Sequence, residues 1–278
     1  MRRYLTVFLL VGLLCAATNS RQALIVGIDH IPVVVADLEK AQADYRALGF
    51  RIKAGRPHAD GIRNAHVKFP DGSEIELITA PAAVDALTAE YRAKMAGADG
   101  PVYFGLYAPD QAALLAQVKG LPVMADTDHG ALDFAPESGL HPLFFGQRNK
   151  SPTDLPEHFA HENTAVRLSA LWVRDNRELH ALLERLGVAL TPTRLCGFAG
   201  GGAGTVASLP EGNVYLVPAG GANVIAARVE VRNVAAVKTV LGRSGVSFEE
   251  DPSCDANAVW VGPSRAHGIR IEFVGPKE

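Results

Sequence analysis

Cysteine is scarce, charge of either sign is muted, and no apolar run is long enough to cross a bilayer. The 278 residues hold three cysteines, at positions 15, 196 and 254, with none of the paired spacings of a zinc site. A formal net charge of −3 gives no electrostatic case for nucleic acid or an acidic membrane. The apolar stretch Leu5–Ala17 has thirteen residues, fewer than the ~20 that a spanning helix needs. No Ser/His/Asp or Cys/His arrangement marks a nucleophile. The run Gly200-Gly201-Gly202-Ala203-Gly204 is not completed by the Lys-Ser/Thr of a phosphate loop, and no helical pattern follows it. It reads as a flexible connection between strands, or as a lid.

The first twenty residues form a separate object. Arg2 and Arg3 precede the apolar stretch, and Ala16 to Ser20 offer small residues for cleavage. Residues 1–20 read as a secretory signal peptide, so the expected location is periplasmic or secreted. The competing reading is an uncleaved membrane anchor. Export leaves Cys196 and Cys254 in the mature chain, where a bridge is permitted. Two independent buried thiols are the preferred expectation.

The rest is organised around Gly27–Thr79. Val33, Val34 and Val35 mark a strand. Asp37 can cap a helix that continues through Leu38, Ala41, Tyr45 and Leu48. Gly49 stands where a left-handed C-cap is needed. Arg51–Lys53, Ala65–Phe69 and Glu74–Ile78 read as three strands, with a turn at Pro70-Asp71-Gly72 between the last two. The twelve-residue spacing from Asp37 to Gly49 returns from Asp175 to Gly187 and from Asn233 to Gly245. Asp175 with Glu178 reads as a variant capping box. A less exact copy starts at Asp110. Recurrence of one unit is an organisational signal. The expected fold is α+β, with four βαβββ modules paired into two lobes with curled mixed sheets. The lobes span residues 24–147 and 161–275, joined by a linker over 148–160.

The opening stretch resembles the βαβββ module of the vicinal oxygen chelate (glyoxalase/bleomycin-resistance) superfamily. The carrying residues are Asp29-His30, Asp37, Gly49-Phe50 and Ile75-Glu76-Leu77-Ile78. The run GRPHADGIRNAHVKF followed by DGSEIELI is similar to the glyoxalase-like domain group. The resemblance is good over Gly27–Ala80 and weaker beyond. It implies metal ligands on the first and last strands of paired modules, here His30 and Glu76, around a divalent Zn, Fe, Mn or Ni. The two outer strands of the module would curl toward each other to bring the pair together. Glu76 lies between Ile75 and Leu77, where a carboxylate is costly unless paired or coordinated. The plainer readings are a backbone-bonded histidine and an edge carboxylate.

The second module departs from the pattern. Its counted positions are Tyr103 and Leu143, neither an ordinary ligand. His141, two residues before Leu143, either completes a His/Glu/His set or is a turn residue before Pro142. In the other lobe the counts reach Glu272, expected to pair with Arg228 or Arg270. His58, Arg63 and Asn64 lie between the second and third strands, with His66 entering the third; the resemblance implies His58 and Asn64 as pocket residues, Arg63 offers a bidentate carboxylate binder, and the other reading is a polar connecting loop. Tyr103 is expected to close the same pocket. His161-Glu162-Asn163 is expected to cap the joint between lobes.

Two functions compete. One is a small-molecule enzyme of isomerase, lyase or dioxygenase type, with Glu76 catalytic and the metal acting as Lewis acid. The other is a metal-free protein that binds or sequesters a small molecule. Exchange of modules between chains would give a homodimer. The address is directly testable: N-terminal sequencing of protein from a periplasmic or secreted fraction should begin near Arg21. An intact Met1 on cytosolic protein would refute it.

Overall fold

The computed structural model describes residues 23–126, 131–148, 150–196, 202–218, 222–251 and 255–276. The first sheet follows from the strand and cap signals of the opening stretch. This part of the chain runs β1 (Gly27–Ile28), β2 (His30–Val34), α1 (Leu38–Ala47), β3 (Lys53–Ala54), β4 (Arg63–Lys68), β5 (Glu74–Thr79), α2 (Ala86–Gly97) and β6 (Gly100–Pro101), and all of its strands but β1 form the first sheet. Asp37 caps α1 by accepting from Lys40 N at 2.9 Å. Gly49 ends it at φ +91°, a region that L side chains avoid. The strand order is β3-β4-β5-β2-β6, with β2 and β5 parallel.

The pattern then repeats in β7 (Phe104–Tyr107), α3 (Gln111–Gln117), β8 (Val123–Asp126), β9 (Ala131–Phe134) and β10 (Leu143–Gly146). Their sheet runs β1-β7-β10-β9-β8. The chain passes between the two sheets at Asp29: β1 pairs with β7, and β2 pairs with β6. One bent antiparallel ribbon therefore joins both sheets.

The second half contains β11 (Ala165–Arg174), α4 (Arg177–Arg185), β12 (Ala189–Leu195), β13 (Gly202–Leu209), β14 (Gly212–Val217), β15 (Val224–Val231), α5 (Val234–Arg243), β16 (Ala258–Val261) and β17 (Arg270–Val274). These nine elements form one seven-stranded sheet, β12-β13-β14-β11-β15-β17-β16, with α4 and α5 against it. Register shifts between β11 and β15 increase its twist. The glycine run opens β13 at Gly202, while Gly200 and Gly201 lie outside the described residues.

One core unites α1, α3, α4 and α5 with the backs of all three sheets, including Tyr45, Leu114, Leu183, Leu241, Ile75, Phe145, Leu171 and Phe273. The opposite faces carry two smaller clusters. One holds Val34, Ile78, Tyr91 and Val102; the other holds Trp172, Leu195 and Trp260.

Two expectations need correction. The cap of α4 is Asn176, not Asp175. Asp175 N is still engaged by Val217 O in strand-like pairing, and its carboxylate lies 2.9 Å from His180. Glu178 forms no capping box and instead accepts from Ser138 and Gly139 N. Nor is Cys196 a free thiol: it is disulfide-bonded, with its partner outside the described residues.

The joint between the halves is a set of neutral hydrogen bonds. Arg51 N donates to His161 Nδ1 at 3.0 Å, so the ring proton sits on Nε2, which donates to Lys68 O at 2.8 Å. Asn163 Nδ2 donates to Leu48 O, and its oxygen accepts from Ala165 N. Burial pushes the His161 pKa down, to about 4. Protonation would also break the Arg51 bond, since Nδ1 could no longer accept. The neutral histidine therefore stabilises the fold fully above about pH 6.5, the ordinary histidine value, and that stability is lost as pH falls toward 4. The unfolding free energy from denaturant titrations should drop over this window by on the order of 3 kcal/mol. In His161→Gln this part of the pH dependence should disappear, leaving a flatter profile.

Candidate active site

Strand register assembles the polar face. In β2 and β5, His30 lies opposite Glu74 and Pro32 opposite Glu76. In β4, Lys68 lies opposite Glu74 and His66 opposite Glu76. Alternation then puts His30, Glu74, Glu76, Asn64, His66 and Lys68 on one face. The convergence of His30 and Glu76 thus needs no curling of outer strands. The first and last strands of the unit are immediate neighbours in the sheet, which corrects that expectation.

His30 is held from behind. Its Nδ1 lies 2.5 Å from Asp29 Oδ1, and Asp29 Oδ2 accepts from Arg148 N. This approach requires glycine at 146, where a Cβ would stand 2.6 Å from the Asp29 carboxylate. The other nitrogen, Nε2, faces Glu76 Oε2 at 3.7 Å. Asn64 Nδ2 donates to Glu76 Oε1 at 2.6 Å. Phe144 packs on the imidazole with ring centroids 4.7 Å apart. Burial alone would lower the His30 pKa. The Asp29 hydrogen bond and the charges of Asp29, Glu74 and Glu76 override it and raise it to about 9. At neutral pH the ring is an imidazolium.

Beside this pair runs a buried charge chain. Glu74 meets Lys68 Nζ at 2.6 Å and His66 Nδ1 at 3.3 Å. Burial would raise the Glu74 pKa, but the His66 hydrogen bond and the charges of His66, His30 and Lys68 bring it down to about 2. Lys68 also faces Asp154 at 3.8 Å, and Asp154 is ion-paired with Lys53. Asp154 comes from the stretch expected to be a linker. That stretch is bonded into both flanks: Arg148 reaches Ile28 O and Glu211, and Asp154 reaches the lysines.

Other expected site residues are placed elsewhere. His141 Nδ1 contacts Phe134 O at 3.0 Å, while Nε2 contacts Glu90 at 3.0 Å and Tyr103 Oη at 3.3 Å. Tyr103 donates to Glu90. These three form their own cluster and do not complete the His30–Glu76 pair. Among the described residues no three His, Cys, Asp or Glu side chains group to hold a metal. His141 sits in the turn before β10, so strand alternation does not carry it to a ligand position. Arg63 is exposed and lies on the opposite face of β4 from Asn64. His58 is in the loop between β3 and β4. Asp29, Glu74 and Lys68 are among the participants that sequence reasoning missed. The two-residue period that joins Glu74 to Glu76, and Lys68 to His66, was the available signal for the latter two.

The second half fills its corresponding face with its own side chains. Arg228 Nε donates to the buried Glu272. The Arg228 guanidinium lies 5.3 Å from the Trp172 ring, which stacks on Tyr215 at 4.7 Å.

A family model described as a glyoxalase-like domain matches residues 28–187. No curated protein gives a significant match. Among solved structures, the 2,3-dioxygenase LapB from Pseudomonas sp. KL28 is similar, with 15% identity and a TM-score of 0.62, over 92% of this chain and 94% of that one. A mutant of 4-hydroxymandelate synthase from Streptomyces coelicolor aligns with 10% identity and a TM-score of 0.62, over 91% and 94%. A xylose isomerase-like TIM barrel/4-hydroxyphenylpyruvate dioxygenase fusion protein aligns with 11% identity and a TM-score of 0.62, over 91% of this chain. The chain spans about half of that fusion protein, 49% of its length. At these identities the likeness is one of fold.

The hold of Asp29 on His30 can be measured. Asp29→Asn removes a charge and its ionic hydrogen bond, so the His30 imidazole should titrate about 1–2 units lower by proton NMR. An unmoved midpoint would mean that Asp29 does not set the state of the ring.

Proposed function

The chain belongs to the glyoxalase-like domain family of the vicinal oxygen chelate superfamily, and on that premise we propose that its first-half face binds a small oxygenated molecule and moves a proton on it. The observation that carries this reading is the Asp29–His30–Glu76–Asn64 array. An imidazolium and a carboxylate face one another across 3.7 Å. Glu76 takes a proton from carbon or hydroxyl next to a carbonyl. His30 donates from Nε2 to the oxygen that gains charge. Acid and base positioned on one substrate typically contribute about 10²–10⁴-fold each. Asp29 keeps the ring oriented and charged, Asn64 fixes the Glu76 rotamer, and Phe144 shields one face of the ring from water. The chemistry is of isomerase or lyase type.

The metal of the superfamily fits this array poorly. Catalytic zinc sites, for comparison, commonly use three protein ligands, and His30 with Glu76 supplies two. One Glu76 oxygen already accepts from Asn64. No step is therefore derived through a metal. A second reading keeps one, held by His30, Glu76 and oxygens of the substrate. It is favoured by the Asp29 contact, since metal-bound imidazoles usually have such an orienting carboxylate. Pure sequestration is the third reading. Two features of the sequence reading stand as part of the same proposal: export of a chain cleaved after residue 20, and lobes over 24–147 and 161–275. The disulfide at Cys196 supports an oxidising compartment.

Solvent-deuterium exchange into a panel of small hydroxyketones and 2-oxoacids, followed by NMR, separates the readings. The native chain should catalyse exchange of protons next to the carbonyl. Glu76→Gln should lose about 10²–10⁴-fold of that rate while ligand-induced shifts persist. Binding without exchange in the native chain favours sequestration. Metal that copurifies without chelator and is lost in Glu76→Ala favours the metal reading.

A further inference from the structure

We propose that Lys53 and Lys68 form a subsite for a carboxylate of the ligand, and that Asp154 fills it in the free protein. The inference rests on the reading that the first-half face binds a small molecule, and it names one chemical feature of that molecule.

The lysines have different strands but one target. Lys53 is in the two-residue strand β3, opposite His66, and Lys68 is opposite Glu74. Both are withdrawn from water, with side chains 12% and 2% exposed. Lys68 already has Glu74 as a close counter-ion at 2.6 Å. Asp154 is therefore a second carboxylate on that cation, 3.8 Å away, as well as the partner of Lys53. Removing it would leave Glu74 on Lys68 but take away the carboxylate that pairs with Lys53, so Lys53 is the cation an incoming anion would satisfy.

The origin of Asp154 differs from that of the other charges. His30, His66, Lys68, Glu74 and Glu76 are fixed by strand register. Asp154 belongs to the joining stretch, whose neighbours Pro152, Thr153, Leu155 and Pro156 are exposed. Its local bonds are short-range: Ser151 N donates to Asp154 Oδ2, and Asp154 N donates to Ser151 O, both at 2.9 Å. The stretch inserts one carboxylate among the charged residues of the face and leaves its surroundings in water. A ligand carboxylate at the same place makes the same charge-assisted bonds. The exchange replaces one desolvated anion by another, so its electrostatic cost is small. A ligand anchored at the lysines shares the face that His30 and Glu76 occupy.

Acetate is the probe, because it offers the carboxylate alone. In Asp154→Ala, acetate should bind at least about tenfold more tightly than in the native chain, read from the Lys53 and Lys68 side-chain resonances. Lys53→Met in the Asp154→Ala background should abolish this gain. Should Asp154→Ala fail to fold, the native chain still decides the matter. Saturating acetate should accelerate amide hydrogen exchange at Ser151 and Asp154, since the stretch must let go. Equal affinity in both chains, a gain insensitive to Lys53→Met, or unchanged exchange at 151–154 would overturn the proposal. Acetate reports on the lysines, whereas the Glu76→Gln experiment reports on the His30 centre, so the two readings fail separately.

Discussion

Asp29 is the residue on which the first half depends. It stands where one strand leaves a sheet and enters the next. Its N–H goes to Gly105 O in one sheet, and its carbonyl accepts from Glu74 N in the other. Its carboxylate then holds His30 on one oxygen and Arg148 N on the other. Backbone and side chain of one buried residue together fix the bend, the imidazole and the start of the joining stretch. An unpaired carboxylate at such a place would cost several kcal/mol, so these contacts are obligatory companions. Gly146 belongs to the same requirement, since any side chain there would displace the carboxylate.

The face beside it obeys a second electrostatic rule. Basic and acidic side chains alternate across strands: His30 against Glu74, Lys68 against Glu74, His66 against Glu76. Buried ion pairs contribute little net stability, but breaking one by removing a single partner is expensive. Such a face is poor at stabilising a fold and well suited to holding groups in fixed protonation states. The second half takes the other course. Aromatic stacking and the Arg228–Glu272 pair occupy its face.

The sequence made legible whatever depends on period and local capping. Asp37 and Asn233 stand clear of the strands before them and cap their helices by accepting from backbone N–H groups of the first turn. Asp175 misled by one residue because strand pairing extends through it, which only the tertiary structure reveals. The family resemblance paired His30 with Glu76, and the register of the two parallel strands puts them on one face. Strand alternation failed for His141, because counting back from Leu143 crosses a turn where alternation lapses. Arg63 failed for the opposite reason: it is in the strand, and its register turns it away from Asn64. Asp154 was invisible, since nothing in an irregular proline-bearing stretch says which residue will find a buried lysine.

Both tryptophans of the chain, Trp172 and Trp260, belong to the second half, edge to face at 5.3 Å. The first half has none. Intrinsic indole emission is therefore a private signal of the half that fills its own face, and a ligand seated against His30 would be optically silent unless strain crosses the joint at His161 and Asn163. The molecule thus carries a built-in optical label on one side only. Mechanical coupling between its halves can be followed by light without attaching a dye.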